Sequence, residues 1–330
     1  MRFFTLVLAL DVLTAIFLAQ LNDSRQVYLR NIVFSTIVAD REVANEAELE
    51  QRLADGFRDE SAPQDLAKYL DADKLRRLRG VAAAVATSRD DDALAVAVTR
   101  ELGQRSDGTI CGIESLGRVV RDTARGLGCC SDFSKAWIFY ARHLGLRTRE
   151  SYTMVHTTVE YFDRRSGQWH MVDPLNHLQI VDERGVAQSQ FSIRAQDLFS
   201  AFQIARQLPG DPGFDAPRYG GYAQAQYATL MWKRGINYLE IEYWDGHLRT
   251  LKLPKPARQL ILLASGIQPG WLMLTTNTLA FYLRILQAIL LASTALLLGV
   301  NALALWRLPQ RFRRSKPVTA RSGAGAKSSA

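Results

Sequence analysis

The chain has 330 residues, of which 22% are charged and 48% hydrophobic, so it can form one sizeable domain or two small ones. This composition excludes a largely disordered chain, a collagen-like chain and a disulfide-rich miniprotein. The formal net charge is +8, but seven basic residues and no acid lie between Arg307 and Ala330, so the rest of the chain is nearly neutral. A broad basic surface for nucleic acid on the folded part is thereby excluded.

The N-terminus is apolar from Phe3 to Leu21, and these 19 residues approach the roughly 20 that a membrane-spanning helix needs. A cleaved signal peptide is the competing interpretation, but the stretch lacks a convincing pair of small residues before a cleavage point. We therefore predict an uncleaved transmembrane helix over residues 1–21. Asp11 in its middle is costly in a bilayer, so we expect it to be protonated or to face a partner helix.

Residues 22–107 have the pattern of a helical region outside the cytoplasm. Asn45, with an acid three residues later, predicts the start of a helix that reaches Ala54. Helical patterns also cover Leu66–Leu78 and Val81–Leu102, interrupted by the polar run 88–92. No chemistry is evident in this region, and its charges are interpreted as a solvated face.

Residues 108–184 form the informative part of the chain. Phe133, Trp137 and Tyr140 recur at helical spacing, and Gly145 follows as a C-cap, which predicts an amphipathic helix over Cys130–Leu144. Cys130 then lies at the N-terminus of this helix.

A strand-like segment follows over Arg149–Phe162, and a turn at 163–167 leads to a second strand, Gln168–Asp173. Counting outward from the turn, His156 and Asp173 fall within about one residue pair of each other across the hairpin.

These three residues suit nucleophilic catalysis. A helix N-terminus favours the thiolate of Cys130, a neighbouring His156 imidazole can exchange its proton, and Asp173 can orient that imidazole. The backbone N–H groups of the first helical turn could hold an oxyanion. The sequence thus predicts a Cys130, His156, Asp173 catalytic triad.

The same residues resemble the transglutaminase-like superfamily of papain-type cysteine enzymes. The resemblance rests on four segments in order: Gly128–Phe133 (GCCSDF), Leu144–Arg149 (LGLRTR), His156–Glu160 (HTTVE) and Trp169–Pro174 (WHMVDP). It implies an α+β fold in which a helix bearing the cysteine packs on an antiparallel sheet bearing the histidine and the aspartate. It also implies that Cys130 is the nucleophile, His156 the base and Asp173 the orienting acid. The sequence departs at Thr158, where that family has an aromatic residue, which leaves the shape of the acyl-donor cleft open.

Neither metal nor cofactor is predicted, because the histidines and cysteines show no zinc-ligand spacing. Three cysteines outside the cytoplasm would meet an oxidising compartment. A Cys111–Cys129 bridge would leave Cys130 free, whereas a Cys129–Cys130 bridge would inactivate it. The sequence leaves both open, and we hypothesise the first.

After this core, residues 185–278 are predicted to form an extension. It contains a helix over Ile193–Gln207, a loop over Pro209–Tyr222 and a hairpin turning at Asp245-Gly246.

Residues 279–306 are predicted to form a second transmembrane helix, because 22 residues from Ile285 to Trp306 carry no charge. The basic, low-complexity residues 307–330 are predicted to be a disordered cytoplasmic tail. Both termini then lie inside and the main domain outside. Together with the Ala- and Arg-rich composition, this layout favours a bacterial inner-membrane protein with a periplasmic domain.

The sequence therefore predicts a membrane-anchored cysteine protease, amidase or acyltransferase acting on an amide of an envelope protein, peptide or peptidoglycan stem. Hydrolysis is favoured over cross-linking because water is abundant at an exposed site. The alternative is a catalytically silent scaffold whose spans, with Asp11 and Arg284, dock a partner such as an envelope polysaccharide assembly or export complex. A lipid or nucleic-acid binder acting through the basic tail ranks last.

Overall fold

The computed structural model is a mixed fold of helices and sheet. It describes residues 35–56, 71–102, 116–152, 156–182, 184–195, 204–207, 236–239 and 271–314, with single helical positions between residues 5 and 32. The predicted loop Pro209–Tyr222 and the predicted turn Asp245-Gly246 lie outside the described residues.

Eight strands lie within the described residues: β1 (Thr36–Ala39), β2 (Thr148–Tyr152), β3 (Thr157–Asp163), β4 (Gln168–Asp173), β5 (Leu178–Val181), β6 (Ile204–Gln207), β7 (Ile236–Leu239) and β8 (Trp271–Thr275). They form one sheet in the order β1-β8-β7-β2-β3-β4-β5-β6. Every neighbouring pair is antiparallel except β1 and β8, which run parallel. The three predicted regions between residues 22 and 278 therefore all contribute strands to the same sheet.

The helices of the described residues are α1 (Glu46–Gly56), α2 (Ala72–Val85), α3 (Asp91–Glu101), α4 (Leu116–Thr123), α5 (Cys130–His143), α6 (Gln190–Ala195) and α7 (Asn277–Arg314). The helix predicted after Asn45 is confirmed as α1, and the Asn45 side chain accepts a hydrogen bond from the Glu48 amide at 3.0 Å. This is the N-cap that the sequence indicated.

Helix α5 confirms the prediction made from its apolar spacing, and it ends where Gly145 adopts a φ of +87°. Phe133 and Trp137 on its buried face belong to the same core as Val159 and Tyr161 of β3. The rings of Trp137 and Tyr161 lie 6.0 Å apart. Burial of each such side chain contributes about 1.5–3 kcal/mol, so this contact fixes α5 on the sheet.

The predicted division between Leu66–Leu78 and Val81–Leu102 is wrong. Helix α2 continues through Gly80 to Val85, and the chain turns only at residues 86–90. Gly80 lowers helix propensity without ending the helix. The acids of the polar run instead start α3, where Asp90 caps the helix by accepting from the Ala93 amide at 3.0 Å.

The strand-like segment Arg149–Phe162 is two strands rather than one. β2 and β3 form a hairpin in which Ser151 lies opposite Thr158, and their hydroxyl oxygens are 3.0 Å apart. The predicted second strand, β4, is confirmed and pairs with β3.

The helix predicted over Ile193–Gln207 is also wrong, because α6 ends at Ala195 and residues 204–207 form β6 against β5. β1 and β8 were not predicted. In each case pairing with a distant strand decides the backbone conformation, which local pattern does not encode.

The sheet has two buried faces, because side chains alternate along each strand. One face packs on α5. The other carries Arg149, whose Nε donates to Glu160 at 2.5 Å and whose Nη2 donates to Glu46 of α1 at 2.7 Å. The guanidinium carbon also lies 4.0 Å from the ring centroid of Trp169. Arg149 thus joins α1 to the sheet.

At the start of α3, Asp91 is fully buried and Asp92 is partly buried, so the interpretation of this region as a solvated face is wrong for these two acids. Asp91 accepts two hydrogen bonds from the Arg164 guanidinium, at 2.6 and 2.8 Å. Asp92 accepts from His170 Nδ1 at 2.8 Å and from the Tyr161 hydroxyl at 2.6 Å. These bonds fix α3 against the β3–β4 hairpin.

One helix among the described residues, Asn277–Leu303 within α7, is long and apolar enough to cross a membrane, with a mean hydropathy of 2.0. The predicted first span lies outside the described residues apart from single helical positions such as Leu8 and Val12. Residues 307–314 of the predicted disordered tail are instead the helical end of α7, and beyond Arg314 the tail lies outside the described residues.

The start of α7 is tied to β1. Arg284 donates to the Ile37 carbonyl at 2.7 Å and to Glu42 Oε1 at 2.8 Å. The hydrogen bond from Arg284 lowers the pKa of Glu42 to about 2, partly offset by burial. Arg284, which the scaffold interpretation reserves for a partner, is therefore paired within this chain.

Replacing Arg149 with Met removes the guanidinium but leaves Glu160 fully buried. We expect the free energy of unfolding to fall by about 3–5 kcal/mol, because a buried carboxylate loses its countercharge. Urea unfolding of the full chain in detergent measures this. Arg184→Met is the control, since Arg184 is 84% exposed in its ion pair with Asp182, and should cost no more than about 1 kcal/mol. Equal losses in the two variants would contradict the role of Arg149.

Candidate functional site

The predicted nucleophile begins helix α5. Cys130 is the first helical residue, half-buried, with a free thiol. Cys129 before it is extended, and Asp132 closes the cap by accepting from the Cys129 amide at 3.1 Å. By general helix geometry, the Cys130 N–H has no acceptor one turn earlier. Thiol and N–H therefore lie together at the positive end of the helix dipole.

The predicted base and acid are in direct contact. His156 immediately precedes β3, and its Nε2–H donates to Asp173 Oδ2 at 2.7 Å. Asp173 is the last residue of β4 and is fully buried, whereas 11% of the His156 side chain is exposed. With Nε2 bound to the carboxylate, Nδ1 is the nitrogen that can exchange a proton with a substrate or a thiol.

The turn after β4 holds the Asp173 carboxylate. The amides of Leu175 and Asn176 donate to Oδ1 at 3.1 and 3.2 Å, and Asn176 Nδ2 donates to Oδ2 at 2.6 Å. Asn176 was not among the predicted site residues. The signal was present in the Asp-Pro-Leu-Asn run, because Asp and Asn side chains bond to backbone within turns.

Helix α5 is positioned against the start of β3 beside His156. Ser134, one turn after Cys130, donates from its hydroxyl to the Thr157 carbonyl at 3.3 Å. Thr157 also hydrogen-bonds Cys130, and the negative charge of Asp173 acts on that thiol. The structure thus brings His156 and Asp173 into contact and places Cys130 next to them through Thr157.

The surroundings of Cys130 favour its thiolate. A hydrogen bond with the Cys129 side chain lowers the pKa of Cys130 most strongly, burial opposes it, and the bonds with Thr157 lower it further. The Asp173 charge raises it, and the net effect is a pKa below the ordinary value. A lowered pKa increases the thiolate fraction near neutral pH, which a nucleophile needs.

The structure contains no bridge between Cys129 and Cys130, since Cys130 is a free thiol and Cys129 Sγ donates to Asp132 Oδ2 at 3.3 Å. Cys111 lies outside the described residues, so the Cys111–Cys129 bridge stays a prediction.

Thr158, where the sequence departs from the resemblance, is fully buried on the sheet face that carries Arg149. Its hydroxyl bonds Ser151 and accepts from Gln190 Nε2 at 3.0 Å. Among the described residues, no three His, Cys, Asp or Glu side chains are grouped as metal ligands would be.

Gly128 allows the chain to enter α5. Its φ of +127° disfavours other residues, and a Cβ there would lie 3.1 Å from the Asp132 Cβ. We expect Gly128→Ala to lower the unfolding free energy by about 1–3 kcal/mol and to slow alkylation of Cys130, because Asp132 must move.

Gly145 at the other end of α5 provides the matched control. Its φ is +87°, but a Cβ there would meet nothing within 4 Å. Gly145→Ala should cost about 1–2 kcal/mol of backbone strain and leave Cys130 alkylation unchanged. Unaltered alkylation in Gly128→Ala would contradict the proposed contact with Asp132.

Comparison with known proteins adds no family to this geometry. No protein-family model, no curated protein and no solved structure matches the chain. The function of the site therefore rests on its own atoms: a thiol at a helix N-terminus, within reach of the charge of Asp173, and an imidazole that binds the same buried carboxylate.

Proposed function

We propose that the protein is a membrane-anchored cysteine hydrolase that attacks a carboxamide or peptide carbonyl outside the cytoplasm. The observation that carries this proposal is the 2.7 Å bond between His156 and Asp173 beside the Cys130 thiol. The resemblance of four sequence segments to transglutaminase-like enzymes assigns the same three residues the same roles. The site geometry and the sequence segments thus support the same reaction type.

In the first half-reaction, the Cys130 thiolate attacks the carbonyl carbon and forms a C–S bond. The carbonyl oxygen becomes an oxyanion that the N–H groups of the first α5 turn can stabilise. As the C–N bond breaks, the His156 imidazolium gives its Nδ1 proton to the leaving amine. A thioester of Cys130 and a neutral imidazole remain.

In the second half-reaction, His156 takes a proton from water, and the hydroxide formed attacks the thioester. The C–S bond breaks, a carboxylic acid leaves, and the Cys130 thiolate and the imidazolium return. An amine in place of water would give amide transfer. Hydrolysis is favoured because water is abundant at a site outside the cytoplasm.

Asp173 stays ionised through both steps. Four hydrogen bonds hold its carboxylate, including the one from His156, and it stabilises the imidazolium electrostatically. The negative charge of Asp173 also raises the pKa of Cys130. Asp173 therefore favours the imidazolium of His156 but disfavours the thiolate of Cys130.

The pH dependence of Cys130 alkylation tests whether the pKa of the thiol is lowered. Iodoacetamide reacts with thiolate, and a pKa below the ordinary value means that the reaction persists as the pH falls below that of a normal cysteine. Loss of the imidazolium in His156→Ala should raise the apparent pKa, so alkylation near pH 6 should fall. Tandem mass spectrometry of the full chain in detergent resolves Cys130 from Cys129.

His143→Ala is the control, because His143 ends the same helix and bonds Arg79 away from the site. It should leave the alkylation profile unchanged. An ordinary apparent pKa for Cys130 in the wild type, or identical profiles for His156→Ala and wild type, would contradict the proposal.

Activity gives a second test, using peptide and amide libraries of envelope composition. We expect Cys130→Ala to abolish hydrolysis and His156→Ala to reduce it by a factor between about 10² and 10⁴. In cells, a scaffold would tolerate Cys130→Ala and an enzyme would not. Full function of that variant in vivo would favour the scaffold.

The proposed orientation rests on the basic run from Arg307 onward, which begins within the end of α7 and favours a cytoplasmic C-terminus. A fluorescent protein that matures only in the cytoplasm, fused after Ala330, should fluoresce, and alkaline phosphatase at the same place should be inactive. The reverse result would place the domain inside the cell.

A further inference from the structure

Outside the candidate site, the β3–β4 turn brings a hydroxyl, an imidazole and a carboxylate into contact. Ser166 Oγ lies 3.3 Å from His170 Nε2, and His170 Nδ1 lies 2.8 Å from Asp92 Oδ1. Ser166 belongs to the turn, His170 to β4 and Asp92 to α3. A nucleophile, a base and an orienting acid follow one another in this order in serine enzymes, and apo structures often show a loose contact between hydroxyl and base.

The Asp92 carboxylate fixes the tautomer of His170. Burial raises the pKa of Asp92, but the hydrogen bonds from His170 and Tyr161 and the nearby positive charges lower it by more, so the pKa lies below its ordinary value. The carboxylate is therefore ionised at neutral pH and can only accept, so His170 Nδ1 carries the hydrogen of their bond. In the neutral imidazole, Nε2 is then the acceptor, and the Ser166 hydroxyl donates to it.

The imidazole is held in place from behind. The Tyr161 hydroxyl donates to the same Asp92 oxygen at 2.6 Å, and Gln179 Nε2 donates to the Tyr161 hydroxyl at 2.8 Å. The Tyr161 and His170 rings meet edge to face, with centroids 5.6 Å apart. Only 5% of the His170 side chain is exposed. The ring therefore cannot turn away from Ser166 without breaking its bond with Asp92.

The turn presents Ser166 to solvent on a fixed backbone. Ser166 is exposed, and its amide donates to Asp163 Oδ2 at 2.8 Å. The Gly167 amide donates to the Asp163 carbonyl at 2.8 Å, and Gly167 has a φ of +68°, which glycine adopts easily. A reagent in solution can thus reach the hydroxyl, whereas the base behind it is shielded from water.

The same turn limits the chemistry that the hydroxyl can perform. Fast turnover in acyl transfer needs N–H donors that stabilise an oxyanion. Here the amides of Arg165, Ser166 and Gly167 are all bonded to Asp163. This arrangement favours a single acylation by a donor with a good leaving group, because such a donor needs less stabilisation of the oxyanion.

We propose that Ser166 is an acyl-acceptor site for activated esters, with His170 as the base and Asp92 as the orienting acid. Ser166 Oγ forms a bond to the carbonyl carbon of the donor while its proton passes to His170 Nε2. The bond from that carbon to the leaving oxygen breaks, and His170 returns the proton to the leaving oxygen. The products are an ester of Ser166 and an alcohol. This reaction uses none of the residues of the proposed hydrolase site.

The test uses p-nitrophenyl acetate as the probe on the full chain in detergent, and tandem mass spectrometry measures acetylation of each serine. Ser88 is the internal control, because it is also an exposed turn serine but donates to the Val85 carbonyl instead of an imidazole. We expect Ser166 to be acetylated about 10²-fold faster than Ser88. Asp92→Asn should lower the Ser166 rate to that of Ser88, since an amide favours the tautomer with the hydrogen on Nε2.

Equal acetylation of Ser166 and Ser88 in the wild type overturns the proposal, and so does a Ser166 rate that Asp92→Asn leaves unchanged. Alkylation of Cys130 by iodoacetamide reports whether Asp92→Asn is folded. If that variant does not fold, the wild-type chain unfolded in urea decides. Its Ser166 rate should fall to that of Ser88, and an excess that persists in urea overturns the proposal.

Discussion

The buried carboxylate of Asp173 is the constraint on which the site depends. A fully buried charge is costly unless hydrogen bonds satisfy it, and four donors from three residues do so here. These donors fix the end of β4, the turn that follows it and the ring of His156 at once. The geometry of the candidate site thus follows from the hydrogen bonds that Asp173 requires, and a small change in the turn would disturb all three.

The sequence pattern predicted the parts of the fold that depend on residues close together in the chain. Helix α5 has a regular apolar face and a glycine stop, and β4 ends at a proline, so both were predicted close to their observed bounds. His156 and Asp173 were predicted to meet for the same reason, because a short hairpin fixes its own register. The Cys130 position at the start of α5 followed directly.

The remaining features depend on contacts between distant residues. The local pattern predicts a helix at Ile204–Gln207, but this segment pairs with β5 as a strand. Trp271–Thr275 was interpreted as leading into the membrane, but it pairs with β1 and β7. The local sequence predicts that Asp91 is solvated, but the guanidinium of Arg164, 73 residues away, binds its carboxylate. The hydrophobic periodicity of a local segment does not indicate such distant partners. Asn176 was missed for a different reason: the Asp-Pro-Leu-Asn run indicates a turn, but a turn signal does not show that the Asn176 side chain binds the Asp173 carboxylate.

The place of β1 and β8 in the sheet sets the distance between the candidate site and the candidate membrane helix. β1 and β8 lie side by side at one edge, next to α7, so the candidate membrane anchor joins the domain there. Four strand spacings separate β1 from β3, which is about 19 Å at the usual distance between strands. In the proposed membrane-anchored hydrolase, this short distance would restrict cleavage to bonds close to the bilayer surface and exclude those deeper in the envelope.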